Sequence, residues 1–161
     1  MRHPLLIAVA LAVAGGIVPV ASPASGVTQT ILLISITTYS HQEPADAKTG
    51  DYSVDSRDNL MNAAPQFGQR SGVRVGTDIG RFTYTAAHTA TYAGVTSLPG
   101  GTVNVRGVAL AHDGKVVIRV VGGSGKFKGV TGFLTIGVGK VKARSLNTYE
   151  LTLPLPTKNT S

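Results

Sequence analysis

The sequence runs to 161 residues, carries a net charge of +7 and contains no cysteine. Without a thiol there is no disulfide framework, no thiol nucleophile, no zinc–thiolate site and no iron–sulfur cluster. The basic excess is uneven: Lys115 to Ser161 holds eight Lys or Arg against one acid, Glu150, whereas Ser25 to Gly114 holds six against seven.

The N-terminus reads as a leader. Met1-Arg2-His3 is a short positive start, Leu5 to Val18 is apolar and uncharged, and Ser22-Pro23-Ala24 puts small residues at a cleavage junction. The pattern predicts a secretory signal peptide over 1–24. The apolar run is short for a membrane span, although an uncleaved anchor is the alternative. A secreted, extracellular product with no stable membrane insertion after cleavage is therefore expected. What remains, 25–161, suits one domain with a single core.

Ile31 to Tyr39, rich in Ile and Thr, predicts the first strand. Ala45 to Ser71 is polar and weakly patterned, and reads as a long loop with at most one strand near Asn59-Leu60-Met61-Asn62. Val73-Arg74-Val75 predicts a short strand broken by Gly76, with Asp78 and Gly80 bounding a turn. From Arg81 to Tyr92 the chain alternates: Phe82, Tyr84, Ala86, His88, Ala90 and Tyr92 share one face, and Arg81 with four threonines shares the other. The aromatic face is expected to point inward. Leu98-Pro99-Gly100-Gly101 is a turn, Thr102 to Leu110 a strand, Asp113-Gly114 a hairpin signal and Val116 to Val121 the next strand. Phe133 to Val138 and Leu146 to Leu153 follow, closed by Pro154. The strands are best defined over 72–153, and no helical periodicity is sustained. About eight antiparallel strands with short turns predict an all-β fold, a closed eight-stranded barrel, with a two-sheet sandwich as the rival.

The pivotal stretch is Val121 to Gly132, in which five of twelve residues are glycine: Gly122, Gly123, Gly125, Gly129 and Gly132. A β-branched run leads in and an alternating run leads out, so the glycines form a corner between two strands. A phosphate loop does not fit, because Phe127 follows Lys126 and strand, not helix, follows. Lys126, Lys128, Lys140 and Lys142 lie in or beside turns with few aromatics among them. Basic loops on a solvated barrel explain the charge, and no nucleic acid partner is expected.

This stretch resembles the Gly-Gly-Thr-Gly-x-Phe-x-x-Ala-x-Gly signature of dirigent proteins and allene oxide cyclase-type barrels, with Ser124 for Thr and Val130 for Ala. Val75-Gly76-Thr77-Asp78-Ile79-Gly80 is similar to the Val-Gly-x-Asp-x-Gly of bacterial relatives of the cyclases. Leu98-Pro99-Gly100-Gly101-Thr102-Val103, running on to Gly107, and Thr148-Tyr149 complete the order. The resemblance covers Val73 to Leu153. It implies an eight-stranded, calycin-like antiparallel barrel with an apolar cavity that folds a polyunsaturated substrate or steers phenoxy coupling. It implies no metal and no organic cofactor, and it makes a homo-oligomer an expectation. Where allene oxide cyclases carry a cavity cysteine, this chain has Phe82.

His88 and Tyr84 are the candidate catalytic residues. A neutral imidazole or a phenol on an apolar face can move a proton or hold a ligand by a hydrogen bond. Phe82, Tyr92, Arg81, Asp78 and Tyr39 are the candidate ligand-binding residues; Arg81 would hold a carboxylate or phenolate at the mouth, and the alternative for Asp78 is a cap on its turn. Tyr39, His41 and Glu43 share a parity at the end of the first strand, as a polar rim would. No His-x-His or His-x-x-x-His spacing supports a metal, and no Gly-x-Ser-x-Gly elbow supports a hydrolase. The expected partner is an apolar or phenolic small molecule. Its cyclisation, isomerisation or coupling without a cofactor is one reading. A lipocalin-like carrier without chemistry is another, and a structural protein adhering to acidic polymers is a third.

Overall fold

The computed structural model describes residues 26–45, 51–85, 90–138 and 143–155. The leader predicted over 1–24 and His88 lie outside the described residues.

Among the described residues nine strands form, where β-branched and aromatic residues alternate with polar ones. They are β1 Gly26–Glu43, β2 Tyr52–Asn62, β3 Arg74–Tyr84, β4 Ala90–Leu98, β5 Gly101–Val108, β6 Leu110–His112, β7 Lys115–Gly123, β8 Thr131–Val138 and β9 Arg144–Pro154. Every pairing is antiparallel, in the order β5-β4-β3-β2-β1-β9-β8-β7, and β5 pairs with β7 to close the ring. The short β6 pairs with β7 alone. The molecule is thus a closed eight-stranded antiparallel barrel rather than a sandwich, and no α-helix occurs among the described residues.

Several boundaries differ from the sequence reading. β1 is longer at both ends, because Gly26 to Thr30 pair along β9 and Ser40 to Glu43 pair along β2. The polar stretch after Ala45 contains a full strand, β2, whose weak apolar pattern hides its inward face. Gly76 breaks nothing. It and Asp78 lie within β3, which runs unbroken to Tyr84. The alternating run from Arg81 to Tyr92 is two strands, β3 and β4, folded back with Tyr84 opposite Ala90 and Phe82 opposite Tyr92. The inward parity survives the turn, so Phe82, Tyr84 and Tyr92 share the interior face.

One end of the barrel is sealed. Between β7 and β8 a single 3-10 turn, Gly125–Phe127, turns Phe127 into the core, where it and Val130 join Leu60, Leu98, Val103 and Leu151. The amides of Ser124 and Lys126 donate to the carbonyls of Thr102 and Gly100 at 2.9 Å each, so the glycine corner clasps the Leu98–Gly101 turn. Gly125 has φ +58° and presses on the Gly100 carbonyl, where a side chain would clash. The amides of Phe127, Lys128 and Val130 are occupied by carbonyls of the same corner. The loop is a structural corner, and these amides are not free to cradle a phosphate.

Candidate functional site

At the other end the strand register stacks inward side chains in layers. Tyr52, Tyr84 and Ala90 form the outermost layer over β2, β3 and β4, and Val54, Phe82 and Tyr92 the next. Ser56, Gly80 and Gly94 come below them, and Asp58, Asp78 and Thr96 below those. The two upper layers make an aromatic bank. The Tyr52 and Tyr84 rings stack with centroids 4.5 Å apart, and Phe82 meets Tyr92 at 4.6 Å and Tyr84 at 6.1 Å. Tyr52, Val54, Phe82 and Tyr84 are only half-buried although they face inward, so this mouth reaches solvent.

The glycine layer lets the bank reach the acid layer. Gly80 and Gly94 are directly paired, and the Tyr92 phenol lies across both. A Cβ at either position would overlap its hydroxyl. The Tyr92 hydroxyl donates to Asp78 Oδ2 at 2.6 Å, and Thr96 Oγ1 donates to Asp78 Oδ1. Thr96 Oγ1 and the Tyr149 hydroxyl lie 2.7 Å apart, so with Thr96 donating to Asp78, Tyr149 donates to Thr96. Beside this chain Ser35 Oγ donates to Asp58 Oδ2 at 2.6 Å, while Asp58 Oδ1 is buried and has no hydrogen-bond partner. A buried acceptor left unpaired carries a desolvation cost that a hydroxyl placed against it would relieve.

Burial pushes the Asp78 carboxyl above the usual carboxylate range. The Thr96 and Tyr92 hydrogen bonds pull it back, and the neighbouring Asp58 adds to the rise. Burial, then the Asp78 charge, push both the Tyr92 and Tyr149 hydroxyls up, so both stay protonated donors. Tyr84 is raised too, by burial and then by Tyr52.

The described strands close into one ring around a single inward face, and that arrangement is shared with solved structures. A pyocyanin demethylase covers 78% of this chain and all of its own at a TM-score of 0.61 and 17% identity. A pterocarpan synthase dirigent protein, GePTS1, covers 89% of this chain and 99% of its own at 0.61 and 12%. The Diels-Alderase AbmU from Streptomyces koyangensis covers 83% of this chain and 72% of its own at 0.60 and 14%. The chain has the dirigent-type barrel fold. No protein-family model matches the sequence, and no curated protein matches it significantly.

Within this dirigent-type barrel the predicted site residues separate. Tyr84, Phe82 and Tyr92 come together at the mouth. Asp78 lies below them in mid-strand, buried, and caps no turn. Arg81 and Tyr39 do not join them, because both stand on the outer wall. Arg81 Nε and Nη2 hold the two Asp55 oxygens at 2.6 and 2.7 Å, and this pairing lowers the Asp55 pKa and raises that of Arg81. Arg57 lies 5.5 Å from the Tyr39 ring centroid, and His41 and Glu43 approach to 3.7 Å on the same outer face. Sequence reasoning missed Asp58, Thr96 and Ser35, and met Tyr149 only within a family motif. The available signal was parity: Tyr52, Val54, Ser56, Asp58, Leu60 and Asn62 occupy every second position of one strand.

Proposed function

We infer that the barrel takes an apolar or phenolic conjugated molecule into its aromatic mouth and steers its cyclisation, isomerisation or coupling. The observation that carries this is the half-buried bank of Tyr52, Phe82 and Tyr84, linked through Tyr92 across the glycine layer to the acid–hydroxyl layer, in a barrel whose far end is sealed by Phe127. Flat aromatic walls hold a conjugated ligand in one folded geometry, and restricting the reacting ends in this way can remove several kcal/mol from a barrier. The Tyr52 and Tyr84 hydroxyls supply donors for charge developing on a ligand oxygen. Asp58 Oδ1 supplies an acceptor for a ligand hydroxyl. His88, two residues before Ala90 in the chain, is proposed as the proton-transfer group. Barrels of the same fold that include a pterocarpan synthase dirigent protein and a Diels-Alderase support the reading.

The test is binding of the neutral probe N-phenyl-1-naphthylamine, followed by fluorescence. Phe82→Ala and Tyr84→Ala are each expected to weaken binding roughly tenfold, since each removes an aromatic wall. Phe133→Ala, on the outer wall, should leave it unchanged. Absence of probe binding, or an equal loss with Phe133→Ala, would sink the proposal.

A carrier without chemistry is the second reading. Asp78, Tyr92, Thr96 and Tyr149 engage one another, which leaves few acids or bases free. Bound compound recovered unchanged, with no turnover that His88→Ala abolishes, decides for the carrier.

Export is part of the proposal and rests on the apolar run Leu5 to Val18 and the small residues after it. Intact mass of the protein from culture medium should correspond to a chain beginning near Ser25. A mass that retains Met1 would overturn it.

A further inference from the structure

The outer wall carries a second concavity, separate from the mouth. A groove of about 620 Å³ crosses the outside of β1 to β5 and reaches β7. Strand register builds it from two outward rows. Tyr39, Arg57, Ile79, Val95 and Asn104 follow one another across β1 to β5, and the register slip between β5 and β7 adds Val121. Asp55, Arg81, Ala93 and Arg106 form the neighbouring row. The backbone of Gly80 and Gly94 lies between the rows.

The first row is largely apolar. Tyr39, Ile79, Val95 and Val121 are each 46–57% exposed. Outward positions of a solvated antiparallel sheet are normally polar, and one aligned apolar row differs from scattered exposure. The second row is cationic. Asp55 engages Arg81 at two points. Arg106 is exposed, and among the described residues no carboxylate pairs with it. A greasy track therefore runs beside an unneutralised guanidinium.

We propose that this groove binds a long-chain carboxylate, its chain along the Tyr39-to-Val121 row and its head group on Arg106. The volume lies within the range of small-molecule sites, and a guanidinium matches a carboxylate in two-point geometry. A second copy of the chain is the poorer occupant. A two-fold contact sets this patch, with the guanidiniums of Arg57 and Arg106, against the same patch on a partner that is also net positive. A polyanion with no apolar part leaves the track uncovered.

Isothermal titration with dodecanoate, below its micelle concentration, and with neutral dodecanol, below its solubility limit, tests the assignment on the mature protein. Dodecanoate is expected to bind more tightly than dodecanol. Arg106→Gln should weaken dodecanoate roughly tenfold while leaving dodecanol and N-phenyl-1-naphthylamine unchanged. Ile79→Asn, at a position 57% exposed, should weaken both chains while Arg106→Gln weakens dodecanoate alone. Added salt should weaken dodecanoate alone. No dodecanoate binding, or binding indifferent to Arg106→Gln and Ile79→Asn, overturns the proposal. Loss of dodecanoate binding with Phe82→Ala assigns the chain to the mouth and overturns it as well. Concentration-dependent dimerisation abolished by Ile79→Asn makes this face an interface between copies, with the same consequence.

Discussion

Phe127→Ala is expected to cost about 3–5 kcal/mol of folding stability, the usual cost of deleting a fully buried aromatic ring. Phe127 is 2% exposed and comes from a turn rather than a strand. The surrounding backbone is held away from its place, because the corner is bonded to the Thr102 and Gly100 carbonyls and within itself from Ser124 to Val130. Against a total stability of about 5–15 kcal/mol for a domain of this kind, the loss approaches unfolding at ordinary temperature. Denaturant titration measures it as a lowered midpoint at constant slope. Phe133→Ala, 47% exposed on the outer wall, is the comparison. Equal shifts for the two variants would show that Phe127 does not seal the barrel.

Asp78→Asn is expected to change how stability depends on pH. The carboxyl is raised above its ordinary 3.8 in the folded state, chiefly by burial. The folded protein therefore holds this proton more tightly than the unfolded chain. Its contribution is complete below 3.8 and is lost as pH rises through the folded value, by up to about 1.4 kcal/mol per pH unit. Asparagine cannot ionise, so the wild type should lose ground to the variant as pH rises from acid to neutral. Asp55 works in the opposite sense. Its pKa is lowered by Arg81, so its contribution is lost as pH falls. Being present in both proteins, it cancels in the difference. Unfolding titrations of the two proteins across that range give the comparison, and parallel curves would rule out Asp78 as the buried titrating group.

The sequence made the barrel readable wherever one face is apolar. β3 and β4 declare their interior through Phe82, Tyr84 and Tyr92, and β7 through its β-branched run, because period-two burial writes itself into composition. β2 does not, because its inward residues include Ser56, Asp58 and Asn62: Asp58 accepts from Ser35, and Asn62 donates to the carbonyls of Gln66, Gln69 and Arg70 in the segment that follows. The same polar interior concealed the site. Asp78 between two glycines has the composition of a turn, and only the pairing of Gly80 with Gly94 shows that those glycines clear space for the Tyr92 ring. Parity decides against Arg81, which is one residue out of phase with Phe82 and Tyr84. Tyr39 is in phase with the inward Ile31, Leu33 and Ser35, and only the register slip between Thr37 and Tyr39, which the sequence does not announce, turns it outward.

The closure between β5 and β7 has a consequence of its own. β1 and β9 are laced from Gly26–Pro154 to Ile36–Arg144 without a slip. β5 meets β7 through Val103, Asn104 and Val105 against Gly123, Gly122 and Val120 with a slip in register, and β6 and the Ser124 amide carry the closure on at either end. The barrel is a rolled sheet whose hem is irregular at its middle. Fluctuations that part a wall start where the ladder is irregular, so breathing concentrates at the slip between Asn104 and Val105. Gly122 and Gly123 at the hem bring no inward side chains to hold it shut. Because Gly123 lies against Phe127, a parted hem and a loosened plug are one event, and the floor of the barrel opens sideways where its wall is irregular.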